Sequence, residues 1–211
     1  VRFLLAAILL VAQIAGTKYE PARALKPLPP VSQPPQAVSG GEVLLELAVD
    51  LNGRIRDIQT LRATPPFTTL VLDAVRSWNF SPATTTNPNE RPRATESSVL
   101  VAGVFRPPAI YNQPGLGEVP KDLKKPSDRV PFPTRLTMPA YPLQAIFDGV
   151  VLVEASVTPG GTVSEARIIG PGSGFEQVSL DAIRDWRFTP MKTPSYVYII
   201  FGFRQPVIVG K

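Results

Sequence analysis

The 211-residue chain contains no cysteine and no histidine. Without thiols it cannot form a disulfide, present a thiolate nucleophile or carry a lipid on a cleavage-site Cys. Without imidazole it cannot assemble a Ser-His-Asp triad or a Cys/His zinc site. An enzyme would have to work through carboxylates, Lys, Tyr or a Ser-Lys pair, and no such residues are spaced for catalysis. The chain therefore reads as non-enzymatic, with no cofactor, metal or small-molecule substrate. Charge is sparse as well, at 18% of residues, against the usual quarter. The net charge of +5 is spread along the chain rather than gathered in a patch, which argues against a nucleic-acid partner. What the chain has in excess is proline, 25 residues, more than twice the ordinary share of about 5%. Hydrophobic residues at 44% suffice for one or two small cores.

At the N-terminus, Arg2 precedes an apolar run from Phe3 to Gly16. That is the length of an export-signal core and falls short of the roughly 20 residues a spanning helix needs. Ala22-Arg23-Ala24 puts small residues at the minus-three and minus-one positions of a cleavage site after Ala24. Two outcomes stay open: residues 1–24 are a cleaved signal peptide, or residues 1–19 remain as a tether to the inner membrane. Either places the bulk of the chain beyond a membrane. Residues 25–40 form a Pro-rich segment.

Trp78 and Trp186 lie 108 positions apart in similar settings, Leu72-Asp73-Ala74-Val75-Arg76-Ser77-Trp78-Asn79-Phe80-Ser81-Pro82 and Leu180-Asp181-Ala182-Ile183-Arg184-Asp185-Trp186-Arg187-Phe188-Thr189-Pro190. The same offset pairs Phe67 with Phe175, Gly53 with Gly161, Glu46 with Glu154 and Val43 with Val151. It also pairs Pro34, Gln36 and Ala37 with Pro142, Gln144 and Ala145. An in-register match of this length marks a duplication. The expected copies are residues 41–106 and 134–206, joined by a Pro/Gly/Lys linker at 107–133 that lets them reorient.

Within each copy, Val43, Leu45, Leu47, Val49 and Val151, Val153, Ala155, Val157 alternate as half-buried strands, so Glu46 and Glu154 are expected to face solvent. Turns at Asp50-Leu51-Asn52-Gly53 and Thr158-Pro159-Gly160-Gly161 lead to second strands near 54–61 and 162–169. The Asp50 turn lacks the further acidic ligands of a calcium loop. Gly170-Pro171-Gly172-Ser173-Gly174 lacks the Lys-Ser/Thr ending of a phosphate loop and reads as a connection. A helix follows, with Phe175, Val178, Ala182, Ile183 and Trp186 as its apolar stripe and Ser173 with Glu176 as a capping box. Trp78, Phe80, Pro82 and Trp186, Phe188, Pro190 are read as core motif rather than ligand platform. Asp73–Arg76 and Asp181–Arg184 suit ion pairs on a helix surface. A last strand closes each copy, Val99 to Phe105 and Tyr196 to Phe203. The Thr/Asn/Pro/Arg-rich stretch between Ala83 and Glu96 reads as an exposed, mobile loop.

This order, ending in Trp-Arg-Phe-x-Pro and a closing strand, resembles the C-terminal domain of TonB energy transducers. The second copy matches best, from Pro139-Ala140-Tyr141-Pro142 through Gly149-Val150-Val151 to Asp185-Trp186-Arg187-Phe188-Thr189-Pro190. The resemblance implies an α+β fold of two tandem two-layer domains, each a three-stranded antiparallel sheet packed with one or two helices, in the bacterial periplasm. It implies binding of an extended peptide of an outer-membrane transporter by strand addition along the last strand. Mapped here, the contacts are Tyr141, Pro142, Tyr196, Val197, Tyr198, Ile199, Ile200, Phe201 and Phe203. Energised family members carry a membrane-helix His that engages an inner-membrane motor complex, and this sequence has none. Where the family favours a Gln before the Tyr-Pro pair, Met138 stands. Thr17 to Gly40, even as polyproline at about 3.1 Å per residue, reaches only roughly 75 Å. The same domains can serve instead as a non-energised envelope adaptor, or self-associate through their edges.

Overall fold

The computed structural model describes residues 16–25, 28, 39–108, 116–118 and 128–206. Strand β1 (Gly41–Val49) turns through Asp50–Gly53 into β2 (Ile55–Arg62); helix α1 (Phe67–Val75) follows, and β3 (Ser97–Phe105) returns antiparallel beside β1. The second half repeats this order as β4 (Gly149–Val157), β5 (Val163–Ile168), α2 (Glu176–Arg184) and β6 (Ser195–Phe203). The fold is α+β, as the sequence pattern indicates. Asp73 and Arg76 pair at 3.0 Å and Asp181 and Arg184 at 2.6 Å on the exposed sides of the helices.

The two halves share a single sheet. β6 lies parallel to β3, with Val197 opposite Leu100 through Gly202 opposite Phe105, giving the order β5-β4-β6-β3-β1-β2. This corrects the expectation of separately mobile copies with unpaired last strands. Equivalent strands that meet in parallel are related by a two-fold axis running along the strands in the plane of the sheet, which turns one half over relative to the other. The helices accordingly cover opposite faces. On one face Phe67, Val71 and Val75 pack with Leu45 and Val101, and also with Tyr198 and Ile200 of the second half. On the other, Phe175, Ala182 and Ile183 pack with Val153 and Ile199, and with Leu44, Leu100 and Ala102 of the first. A strand buried on both faces carries near-continuous apolar sequence instead of alternating, and β3 and β6 both do so.

The Trp-x-Phe-x-Pro motif ties each helix to its hairpin. Trp78, Phe80, Trp186 and Phe188 are all buried, whereas Pro82 is half-buried and Pro190 exposed, so the two prolines are not part of the core. The Phe80 N–H donates to the Gly53 carbonyl, and the Phe188 N–H to the Gly161 carbonyl, each at 2.8 Å. Gly53 and Gly161 have φ of +79° and +82°, and a Cβ there would sit 1.8 and 2.1 Å from the Phe80 and Phe188 carbonyl oxygens. Only glycine meets both demands. The Asp50 carboxylate accepts from the Asn52 and Arg54 amides, as expected of a turn.

Several local expectations are corrected. Helix α2 begins at Glu176 with Phe175 as its N-cap. Glu176 does reach back to the Ser173 and Gly174 amides, but Ser173 lies two residues before the cap and its hydroxyl does not cap the helix. The stretch from Ala83 to Glu96 is a hairpin, with Ala83–Thr86 paired to Arg93–Thr95, and Lys18–Glu20 adds as a third strand. At the end of the expected linker, Val130 and Phe132 are buried in the core beneath α2, and Pro133–Leu136 pairs with Leu116–Glu118 and Arg187–Phe188. Residues 109–115 and 119–127 of that linker, residues 1–15 of the export segment and residues 26, 27 and 29–38 of the Pro-rich segment lie outside the described residues.

Candidate functional site

The residues assigned to peptide binding occupy the middle of the sheet. Val197, Tyr198, Ile199, Ile200, Phe201 and Phe203 are buried, and Tyr196 is half-buried. β6 is paired along its length with β4 on one side, and from Val197 to Gly202 with β3 on the other. Its backbone groups are therefore committed, and the expectation that it forms an open edge is corrected. Tyr141 is also buried; its hydroxyl donates within its own loop, 2.9 Å from the Phe147 carbonyl and 3.2 Å from that of Ala145. Pro142 next to it is half-buried.

The faces that carry Glu46 and Glu154 are covered by the opposite half, so these residues are buried at 3% exposure each rather than solvated. Their partners come from the segments that precede each half, and the exchange is reciprocal. Arg23, ahead of the first half, donates to Glu154 of the second through Nε at 3.0 Å and Nη2 at 2.7 Å. Arg129, ahead of the second half, lies 3.4 Å from Glu46 of the first. Arg167 adds a 2.6 Å bond to Glu154, and the Tyr198 hydroxyl donates to it at 3.2 Å. Burial alone would raise the Glu154 carboxyl, but the Arg23 and Arg167 bonds outweigh it and hold its pKa below the ordinary value. Glu42, beside Arg62, shows the reverse balance: burial exceeds the pull of the guanidinium and its pKa is raised. Burial also pushes the Tyr198 phenol far up, so it stays protonated. Among the described residues no three His, Cys, Asp or Glu converge as a metal site.

Among the described residues, the ladders of the large sheet that remain open are its two outer strands, β2 and β5. Beside β2 runs a groove of about 430 Å³, floored by Ile55, Ile58 and Leu72 and flanked by Arg56, Asp57, Thr60 and Arg76. An outer strand offers unpaired N–H and C=O groups to any extended segment laid beside it. The pattern alone had not marked β2, because the first half diverges and its edge residues carry no recognisable motif. Uninterrupted apolar sequence in Val99–Phe105 and Val197–Phe201 was the available signal that the last strands are interior.

Residues 137–204 match the model of the family described as Gram-negative bacterial TonB protein C-terminal. The second half of the chain therefore carries a domain of that family, a family of non-enzymatic protein-interaction domains of the cell envelope whose members interact with outer-membrane proteins. No curated protein and no solved structure matches the chain at a significant level.

Proposed function

We propose that this chain, built around a TonB C-terminal domain, is a periplasmic adaptor that binds extended peptide segments of outer-membrane transporters by strand addition. The binding ladders are the outer strands β2 and β5. The observation that carries the reading is the pairing of β6 on both flanks, which leaves the hydrogen-bonding capacity of the sheet at its two margins. Main-chain pairing would supply most of the affinity, and alternate side chains over the Ile55, Ile58 and Leu72 groove would select the peptide.

The test is an NMR titration of the chain with N-terminal peptides of outer-membrane transporters. Amide shifts concentrated in Ile55–Arg62 or Val163–Ile168 are expected. Absence of shifts at both margins defeats the proposal. Shifts centred on Val197–Gly202 and Leu100–Phe105 would mean that the peptide opens the parallel pair, and would return the site to the last strand.

A further inference from the structure

The segment just after the apolar run is built into the folded body. Thr17 Oγ1 donates to Asn87 Oδ1 at 3.0 Å, and Lys18–Glu20 completes the small sheet with Ala83–Thr86. Ala22 is 2% exposed and belongs to the core under α1. Arg23–Ala24 pairs with Phe80–Ser81. The Arg23 guanidinium binds Glu154 and lies 4.9 Å from the Tyr196 ring centre. The Ala24 amide donates to the Tyr198 hydroxyl at 2.6 Å, and the Leu25 amide to the Asn79 carbonyl at 2.7 Å. This strap is where the first half reaches across to the buried carboxylate of the second.

The same residues carry the small-x-small pattern of an export cleavage site. The structure supplies another reason for it: Ala22 is small because its methyl fills the core, and Ala24 because it lies against Phe80 in a strand. Scission of the Ala24–Leu25 bond would remove Arg23 from Glu154, the Ala24 donor from Tyr198, the partner strand of Phe80–Ser81 and the outer strand of the small sheet. A buried carboxylate that loses one of its cationic partners is costly to keep charged.

We infer that Thr17–Leu25 is retained in the mature protein and that the Ala24–Leu25 bond is not its export-processing site. The apolar run of residues 3–16 then leads in sequence straight into the strap, with no spacer between them. This inference is independent of the peptide-binding proposal.

The experiment is to express the full chain in a Gram-negative host and read the N-terminus of the envelope-fraction protein by intact mass and N-terminal peptide mapping. A terminus at or before Thr17 is expected, and a folded product beginning anywhere from Lys18 to Leu25 overturns the inference. Amide exchange gives an independent readout. In the retained form, the Ala24 and Leu25 amides should be protected at least a hundredfold, whereas exchange at free-peptide rates would show the strap undocked and overturn it equally. A chain that starts at Leu25 should lose protection at Phe80 and across Ala83–Thr86. Unchanged protection there would make the strap dispensable and defeat the inference.

Discussion

Arg23 and Glu154, 131 residues apart in sequence, meet in a two-pronged ion pair that joins the first half of the chain to the second. The carboxylate is buried while the guanidinium is partly in water. The cost of breaking the pair therefore falls on Glu154. Glu154→Gln should destabilise the protein by about 2 kcal/mol and Arg23→Ala by about 1 kcal/mol, and a double-mutant cycle on denaturant midpoints should show the two losses to be non-additive. Additive losses would mean that the pair does not couple the halves.

The two buried carboxylates should respond to pH in opposite directions. Glu154 has a depressed folded pKa, so its contribution is complete above its unfolded value and is lost as pH falls through the folded one. Glu42 has a raised folded pKa, so its contribution is complete below the unfolded value and declines as pH rises through the folded one. The stability gap between wild type and Glu154→Gln should close on acidification below the ordinary carboxylate range. Glu42→Gln should change neutral-pH stability by no more than about 0.5 kcal/mol. Urea titrations from pH 3 to 7 check both, and a Glu154→Gln gap that stays constant across this range would contradict the assignment.

Ile199→Pro should abolish folding rather than weaken binding selectively. Ile199 faces Val153 on one side and Ala102 on the other, so proline removes a donor from the interior of the sheet at a cost of about 3 kcal/mol or more. Far-ultraviolet circular dichroism reads the outcome. A well-folded variant would show that β6 behaves as an edge.

Gly53→Ala and Gly161→Ala should each cost at least about 2 kcal/mol, because a Cβ meets a carbonyl oxygen at a left-handed backbone position. Thermal melts would detect a fall of several degrees. Gly160→Ala, with only the Thr158 hydroxyl near its Cβ position, is the control.

Residues 128–206 alone should associate. Without the first half, Leu152, Tyr198 and Ile200 lose the cover of α1, and β6 becomes an open apolar edge. Sedimentation should show concentration-dependent dimers or larger species, and a stable monomer would be inconsistent with the shared core.

Much of the local structure was legible in the sequence. The glycine turns and the placing of the strands are set by short-range periodicity and form as it predicts, whereas Gly41–Val49 is buried on both faces and the helix runs only from Glu176 to Arg184, with Phe175 at its N-cap and Trp186 beyond its end. The joining of the halves depends on a long-range choice that no local rule specifies: which strand β6 takes as its second neighbour. That choice decided the fate of Glu46 and Glu154, which read as solvated because their alternate face was assumed bare. It also decided the site, since Tyr196 to Phe203 is an edge only when one copy is considered alone. The docking of the strap was not legible for a different reason. Ala22 and Ala24 satisfy two patterns at once, and their neighbours in space, Phe80 and the core under α1, are set by contacts that no local pattern records.

The in-plane two-fold axis has a geometric corollary for partners. Because β3 and β6 run the same way, the chain of pairings gives β2 and β5 the same sense, five inter-strand steps or about 24 Å apart, while a twist of about 20–25° per step turns one margin by roughly 100° relative to the other. Two extended ligands seated on these margins would therefore cross instead of running side by side. A partner presenting two suitably spaced segments would then gain avidity that a single segment cannot reach.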